Sequence, residues 1–203
     1  MATDAKQAQT PRGVNHLVLN VRDLEESHRF WTEIIGFRCV AALKPKPGRT
    51  MKMRFYSGVS ETGDVSHHDL ALAQIPDGAQ LAPQSWSMSP SGIGLNHVAI
   101  CYPDRETWLK QVAFLRERGV KFHLRIDHGM THSVYISDPD GHGIEVLYEL
   151  PREVWEHDID AAQNYAESLP TEGAASLEDR VDYPVFGGPV FGGPVLGEAP
   201  ARH

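Results

Sequence analysis

The feature that most constrains this chain is a segment that occurs twice. Gly13-Val14-Asn15-His16-Leu17-Val18-Leu19 returns 81 residues later (94 − 13) as Gly94-Leu95-Asn96-His97-Val98-Ala99-Ile100. Each copy reads as a short apolar strand carrying one histidine, and each leads through an aspartate, Asp23 or Asp104, into a helical pattern. A repeat at this scale means two copies of one supersecondary unit, packed so that they bury a shared core. His16 and His97 then occupy matching positions, and a pseudo-twofold pairing of the copies lets both imidazoles face one pocket.

The order of elements follows from apolar period and punctuation. In the first copy a strand over 14–21 is followed by a helix over 24–35, with Asp23 as its cap and Gly36 as its stop. Strands follow at 37–43, 51–56 and 67–75, separated by the Pro45-Lys46-Pro47-Gly48 turn and a polar loop. A Pro/Ser/Gln/Gly-rich linker leads to the second copy: strand 94–102, helix 104–118 ended by Gly119, then strands at 120–126, 131–137 and 143–150. The expected fold class is α+β, two βαβββ modules forming a half-barrel around a metal-binding cavity. The expected boundaries are an arm (1–12), a first module (13–76), a linker (77–92), a second module (93–150) and a C-terminal extension (151–203). That extension reads as a surface helix over 153–169 and a tail repeating a Gly/Pro-rich five-residue unit over 184–195, too poor in packing residues for a core.

Composition narrows the function classes. The formal net charge of −8 lacks the basic face that a nucleic-acid partner requires. No apolar run approaches the ~20 residues that cross a bilayer, and the first residues lack the apolar centre of a signal peptide, so a cytoplasmic address is expected. Cys39 and Cys101, the only cysteines, fall in apolar strand-like segments and are expected to be buried free thiols. The tail's valines and phenylalanines would leave an apolar strip on a monomer, which points to a homo-oligomer with the extension packed on a neighbour.

A lone histidine on an apolar strand is more often a satisfied core residue than a ligand. Two at matched repeat positions are costly to bury unless both find a partner, and a shared metal ion satisfies both. Glu145, among apolar neighbours on the last strand, would complete a two-histidine, one-carboxylate triad; its alternatives are an arginine-paired or an exposed carboxylate. The first-module counterpart of Glu145 is Leu70 or close to it, so the duplicated scaffold supplies three ligands and not four. Such a triad suits Fe(II), and its donor set admits Mn(II) as well.

These residues resemble those of the vicinal-oxygen-chelate (glyoxalase/bleomycin resistance/dioxygenase) superfamily, and within it the single-domain type I extradiol dioxygenases of the catechol 2,3-dioxygenase kind. The carriers are Asn15-His16-Leu17, Asn96-His97-Val98, the run from Tyr135 through Asp138-Pro139-Asp140-Gly141 to Glu145, and, more specifically, His67-His68-Asp69-Leu70-Ala71 and Asp127-His128-Gly129. The resemblance covers residues 13–150 and implies a compact single-pair version of the larger enzymes. It implies iron at His16, His97 and Glu145, with His68, His128 and Tyr135 as catalytic groups. It also implies a small aromatic diol and dioxygen as substrates. His67, His68, His128 and His132 could equally be solvated loop residues, and Tyr135 a core aromatic. Two rival activities remain open: a glyoxalase-like lyase or isomerase, which would use two histidines and two glutamates, and a non-catalytic, antibiotic-binding protein of the same fold.

Overall fold

The computed structural model describes residues 11–44, 46–48, 50–79, 86–89 and 92–187. They fall into two compact units, one within Met1–Ser85 with the turn Asp138–His142, the other within Trp86–Ser137 and Gly143–His203. Each is an open sheet carrying one main helix, and the βαβββ order read from the sequence recurs in both.

In the first unit β1 (Leu17–Val21) is followed by α1 (Leu24–Arg29), β2 (Arg38–Ala42), β3 (Met53–Ser57) and β4 (Leu70–Gln74). The sheet order is β1-β4-β3-β2, parallel between β1 and β4 and antiparallel elsewhere. Asp23 caps α1 by accepting the Glu25 and Glu26 amides at 2.8 and 3.0 Å, satisfying donors that a helix start leaves free. The expected helix over 24–35 does not stay α-helical. From Phe30 to Ile34 it widens into a π turn, closed by the Ile35 amide on the Phe30 carbonyl at 3.1 Å. The wider turn buries the consecutive rings of Phe30 and Trp31 together, a finer event than apolar spacing reveals. β1 starts one residue after His16, so that histidine precedes its strand rather than lying on it.

The second unit comprises β5 (His97–Cys101), α2 (Arg105–Glu117), β6 (Leu124–Asp127), β7 (Thr131–Ser137) and β8 (Gly143–Glu149), with a late short strand, β9 (Glu167–Ser168). Its order is β5-β8-β7-β6-β9, with β5 and β8 parallel. Asp104 caps α2 through the Thr107 amide at 2.7 Å. Trp108, Val112 and Leu115, at helical spacing, form the buried face of α2, and the Trp108 indole donates to the Val146 carbonyl at 2.9 Å. Between β7 and β8, Asp138 Oδ1 accepts the Asp140 and His142 amides at 3.0 and 2.8 Å. This tight turn sets the register that pairs Tyr135 with Glu145.

Two expectations need correction. Cys39 and Cys101 are free thiols but exposed, because β2 and β5 are edge strands of their sheets. The single surface helix over 153–169 is also not formed. Arg152–Val154 is a 3-10 turn, Asp158 starts a new helix, α3 (Ile159–Gln163), by accepting the Ala161 amide, and β9 then joins the sheet beside β6. A capping aspartate in mid-segment interrupts what apolar spacing alone reads as one helix. Of the C-terminal tail, residues 188–203, with the repeat from Gly188 onward, lie outside the described residues.

From Thr171 to Asp179 the chain docks on its own second unit. Arg116 donates to the Thr171 carbonyl and to Ser176 Oγ, Arg125 to the Ala175 and Glu178 carbonyls, and Arg105 Nε to Asp179 Oδ2 at 3.0 Å. Asp179, with no side-chain surface exposed, also accepts from His132 Nδ1 at 2.8 Å and from the Tyr148 hydroxyl at 2.7 Å. Burial by itself would lower the His132 pKa, but Asp127 and Asp179 outweigh it and raise it from 6.5 to about 9. A folded-state pKa above the unfolded one stabilises fully below the unfolded value and loses that contribution as pH rises through the folded value. The thermal midpoint is therefore expected to fall between about pH 6.5 and 9. His132→Gln should lack that slope in a series of melting curves across this range.

Candidate metal centre

The site is built from the start of β5 and the middle of β8. Asn96 Nδ2 donates to the Met88 carbonyl at 3.1 Å, which turns Oδ1 toward the next residue, and Oδ1 accepts from His97 Nδ1 at 2.7 Å. An amide oxygen can only accept, so neutral His97 carries its proton on Nδ1 and presents a lone pair at Nε2. That lone pair faces Glu145 Oε2 at 3.0 Å. Two lone pairs at this distance repel unless a cation lies between them, either a proton on the ring or a metal ion. With metal–ligand bonds of about 2.1 Å, two adjacent ligands stand roughly 3 Å apart. The imidazole and carboxylate thus fit two neighbouring positions of a divalent ion.

The other carboxylate oxygen is used as well. Tyr135, directly across from Glu145 on β7, donates its hydroxyl proton to Glu145 Oε1 at 2.8 Å. His128 Nε2 lies 2.9 Å from the same hydroxyl. Because the hydroxyl has one proton and gives it to Glu145, the His128 ring is the donor in that second contact. Burial, then the Glu145 charge, push the Tyr135 pKa up. Burial lowers that of His128, against the pull of Glu145 and Asp127. Asn96, His97, Glu145, Tyr135 and His128 form one continuous line in the second unit, able to bind a cation at one end and carry a proton at the other.

In the first unit the same asparagine device recurs. Asn15 Oδ1 lies 2.8 Å from His16 Nδ1, so His16 also presents Nε2. The His68 ring stands 4.3 Å from that of His16, and His67 and His68 bring their Nδ1 atoms to 2.8 Å, which requires a proton on one of them. Burial lowers the His68 pKa, and the His16 and His67 charges act in the same direction. His97, Glu145, Tyr135 and His128 are thus joined within one unit and His16 with His68 within the other. Among the described residues no three His, Cys, Asp or Glu side chains are grouped to hold an ion. Strand register refines the missing fourth ligand. His97 pairs with Gly143, two residues before Glu145, and His16 directly precedes Leu17, which pairs with Leu70. Extending that register makes Ala71 the counterpart of Glu145, a side chain with no donor atom.

Several contributors escaped the sequence reading. The asparagines were visible, but their role in fixing the imidazoles was not. Removing such an outer partner typically weakens metal binding by roughly 10–100-fold. Asn96→Ala is expected to do so, checked by competitive metal titration. Trp86 also went unnoticed; its indole stacks on Tyr135, with centroids 5.4 Å apart and planes 7° from parallel. A Cβ on Gly143 would come within 2.1 Å of Trp86 Nε1, so only glycine permits that stack. Nothing but an isolated aromatic in a polar linker could have signalled it.

The model of the Glyoxalase/Bleomycin resistance protein/Dioxygenase superfamily matches residues 13–146. This chain belongs to that superfamily. A catechol-2,3-dioxygenase of Bacillus subtilis (strain 168) is 31% identical over 145 residues, 71% of this chain but 44% of that enzyme, so the chain spans less than half of that relative's length. A lactoylglutathione lyase of Pseudomonas putida is 27% identical over 159 residues, covering 68% of this chain and 85% of that enzyme. The solved glyoxylase/bleomycin resistance protein/dioxygenase domain from Frankia sp. EAN1pec superposes with a TM-score of 0.52 at 19% identity, covering 70% of this chain and 100% of that one. That likeness speaks for the superfamily fold alone. Among the described residues no helix is long and apolar enough to cross a membrane.

Proposed function

We propose that this chain is a divalent-metal-dependent extradiol dioxygenase that opens the ring of an aromatic 1,2-diol with dioxygen. The observation that carries the reading is the His97–Glu145 pair, whose facing lone pairs call for a cation. His16, held by Asn15 as His97 is by Asn96, is the third ligand in this reading. Fe(II) is the expected ion and Mn(II) the alternative. When bound, the metal supplies open coordination positions for both substrates and a path for electrons from the diol to dioxygen.

The chain's own residues handle the protons. His128 and Tyr135 assist the deprotonation of a diol oxygen in this reading: neutral His128 keeps one ring nitrogen free to accept a proton, and Tyr135 links that ring to Glu145. His68, whose ring lies beside that of His16, accepts or delivers a proton on the dioxygen side, as an imidazole does near neutral pH. Holding both reactants beside fixed proton carriers replaces a termolecular encounter with reaction inside one assembly.

The lyase reading rests on the similarity to lactoylglutathione lyase. Ala71 counts against it, because the resemblance assigns the lyases a second carboxylate in place of such an alanine. Oxygen uptake with a panel of substituted catechols, run beside methylglyoxal–thiol adducts, separates the two. Turnover of the adducts with no oxygen use would transfer the chain to the lyases. We further propose a homo-oligomer: Val181 and Val185 are 73% and 62% exposed, apolar surface that a neighbour would cover. Deleting residues 184–203 should then lower the sedimenting mass.

A further inference from the structure

His128 sits on a short turn between β6 and β7. Its amide reaches the Thr131 carbonyl at 2.9 Å. Its neighbours on both sides are held from elsewhere. Asp127, with no side-chain surface exposed, accepts the Gly129 amide at 2.7 Å through Oδ1 and pairs through Oδ2 with Arg180 Nη2 at 2.7 Å. Its Oδ1 also faces His132 Nε2 at 3.4 Å, and the other nitrogen of that ring binds Asp179. Gly129 adopts φ +76°, and a Cβ there would lie 2.7 Å from the Phe186 ring. Phe186 is itself anchored by its amide on the Val154 carbonyl at 2.7 Å and by its ring against Tyr165.

Three residues of the C-terminal strap over 171–187, Asp179 by way of His132, Arg180 and Phe186, thus converge on the two residues that flank His128. Buried ion pairs are weak stabilisers compared with well-packed apolar groups of the same volume, because desolvation offsets much of their attraction. They do fix geometry, since each charge must keep its partners in place. If the strap served only stability, apolar contacts would suffice.

We propose that Asp179 and Arg180 are positioning residues for His128: through His132 and Asp127 they hold the Asp127-His128-Gly129 turn so that the imidazole stays on the Tyr135 hydroxyl. The inference rests on the reading of His128 as a proton-handling group. It predicts that the strap tunes turnover without touching the substrate.

The test uses the full chain and two variants. Asp179→Asn keeps the volume but removes the charge that holds His132. Arg180→Gln removes the outer partner of Asp127 together with the Arg180 contacts to Glu167 and the Tyr165 hydroxyl, while leaving Asp179 and its bond to His132 in place, and it decides the matter if Asp179→Asn does not fold. Both should leave metal stoichiometry unchanged and shift the His128 ring nitrogen resonances toward those of an imidazole without the tyrosine contact. Amide exchange should rise at residues 128–131 while α2 keeps its protection. In the active enzyme kcat should fall by roughly 10–100-fold, the range for a group displaced by about an ångström, with KM for the diol little changed. Arg180→Lys should restore most of it. Unshifted His128 resonances in folded variants, or exchange rising equally across the unit, would overturn the proposal. Because resonances and exchange are read without turnover, failure of the dioxygenase reading would appear separately, as wild-type protein that consumes no oxygen.

Discussion

Replacing Glu145 by alanine is expected to give a folded protein that retains no stoichiometric metal and opens no diol ring. Glu145 is 6% exposed and fills three roles: it faces His97 Nε2, accepts the Tyr135 hydroxyl, and stands opposite Tyr135 in the β7–β8 ladder. In the proposed site its loss would leave two imidazoles, too few to compete with water for a divalent ion. It also removes the acceptor of the Tyr135 hydroxyl proton, leaving His128 as that hydroxyl's partner, at a cost of about 0.5–1.5 kcal/mol for the lost hydrogen bond, which a urea melt would detect. Glu145→Gln separates the two effects. It keeps an oxygen for Tyr135 while withdrawing the negative charge, so stability should recover and metal binding should not. Full metal occupancy in either variant would remove Glu145 from the site.

The second large effect is expected at the proton carriers. His128→Gln and Tyr135→Phe should each retain the metal and the anaerobic spectral change on adding a catechol, yet lower kcat by about 100-fold or more. The two side chains share a hydrogen bond of 2.9 Å. Groups that act as a unit lose their function together. The double variant should therefore be little slower than either single one. Additive losses in single-turnover measurements would mean that His128 and Tyr135 serve different steps.

The fold was legible in the sequence because duplication and punctuation agreed at every level. Asp23 and Asp104 cap helices, Gly36 and Gly119 end them, and the turn before β8 sets a strand register. What escaped depends on contacts between residues distant in sequence. The π turn that buries Phe30 beside Trp31 and the stack of Trp86 on Tyr135 leave no periodic trace. The same holds for the Asp127–His132–Asp179 relay, whose partners lie up to 52 positions apart (179 − 127). Cys39 and Cys101 were misplaced because an apolar neighbourhood in sequence does not tell an edge strand from a central one. The candidate ligands were legible as residue types at repeated positions. Their chemistry was not, because it turns on which imidazole nitrogen is free, and that is set by the Asn15 and Asn96 side chains.

The most direct test of the account follows the oxygen atoms. Protein loaded anaerobically with Fe(II) should bind about one ion per chain, as the single proposed triad requires. It should then change its spectrum on adding a catechol and, on admission of isotopically labelled dioxygen, form a yellow ring-opened semialdehyde. Both atoms of the labelled dioxygen should be found in that product by mass spectrometry. Fully iron-loaded protein that binds catechols but leaves the label in the gas phase would contradict the account.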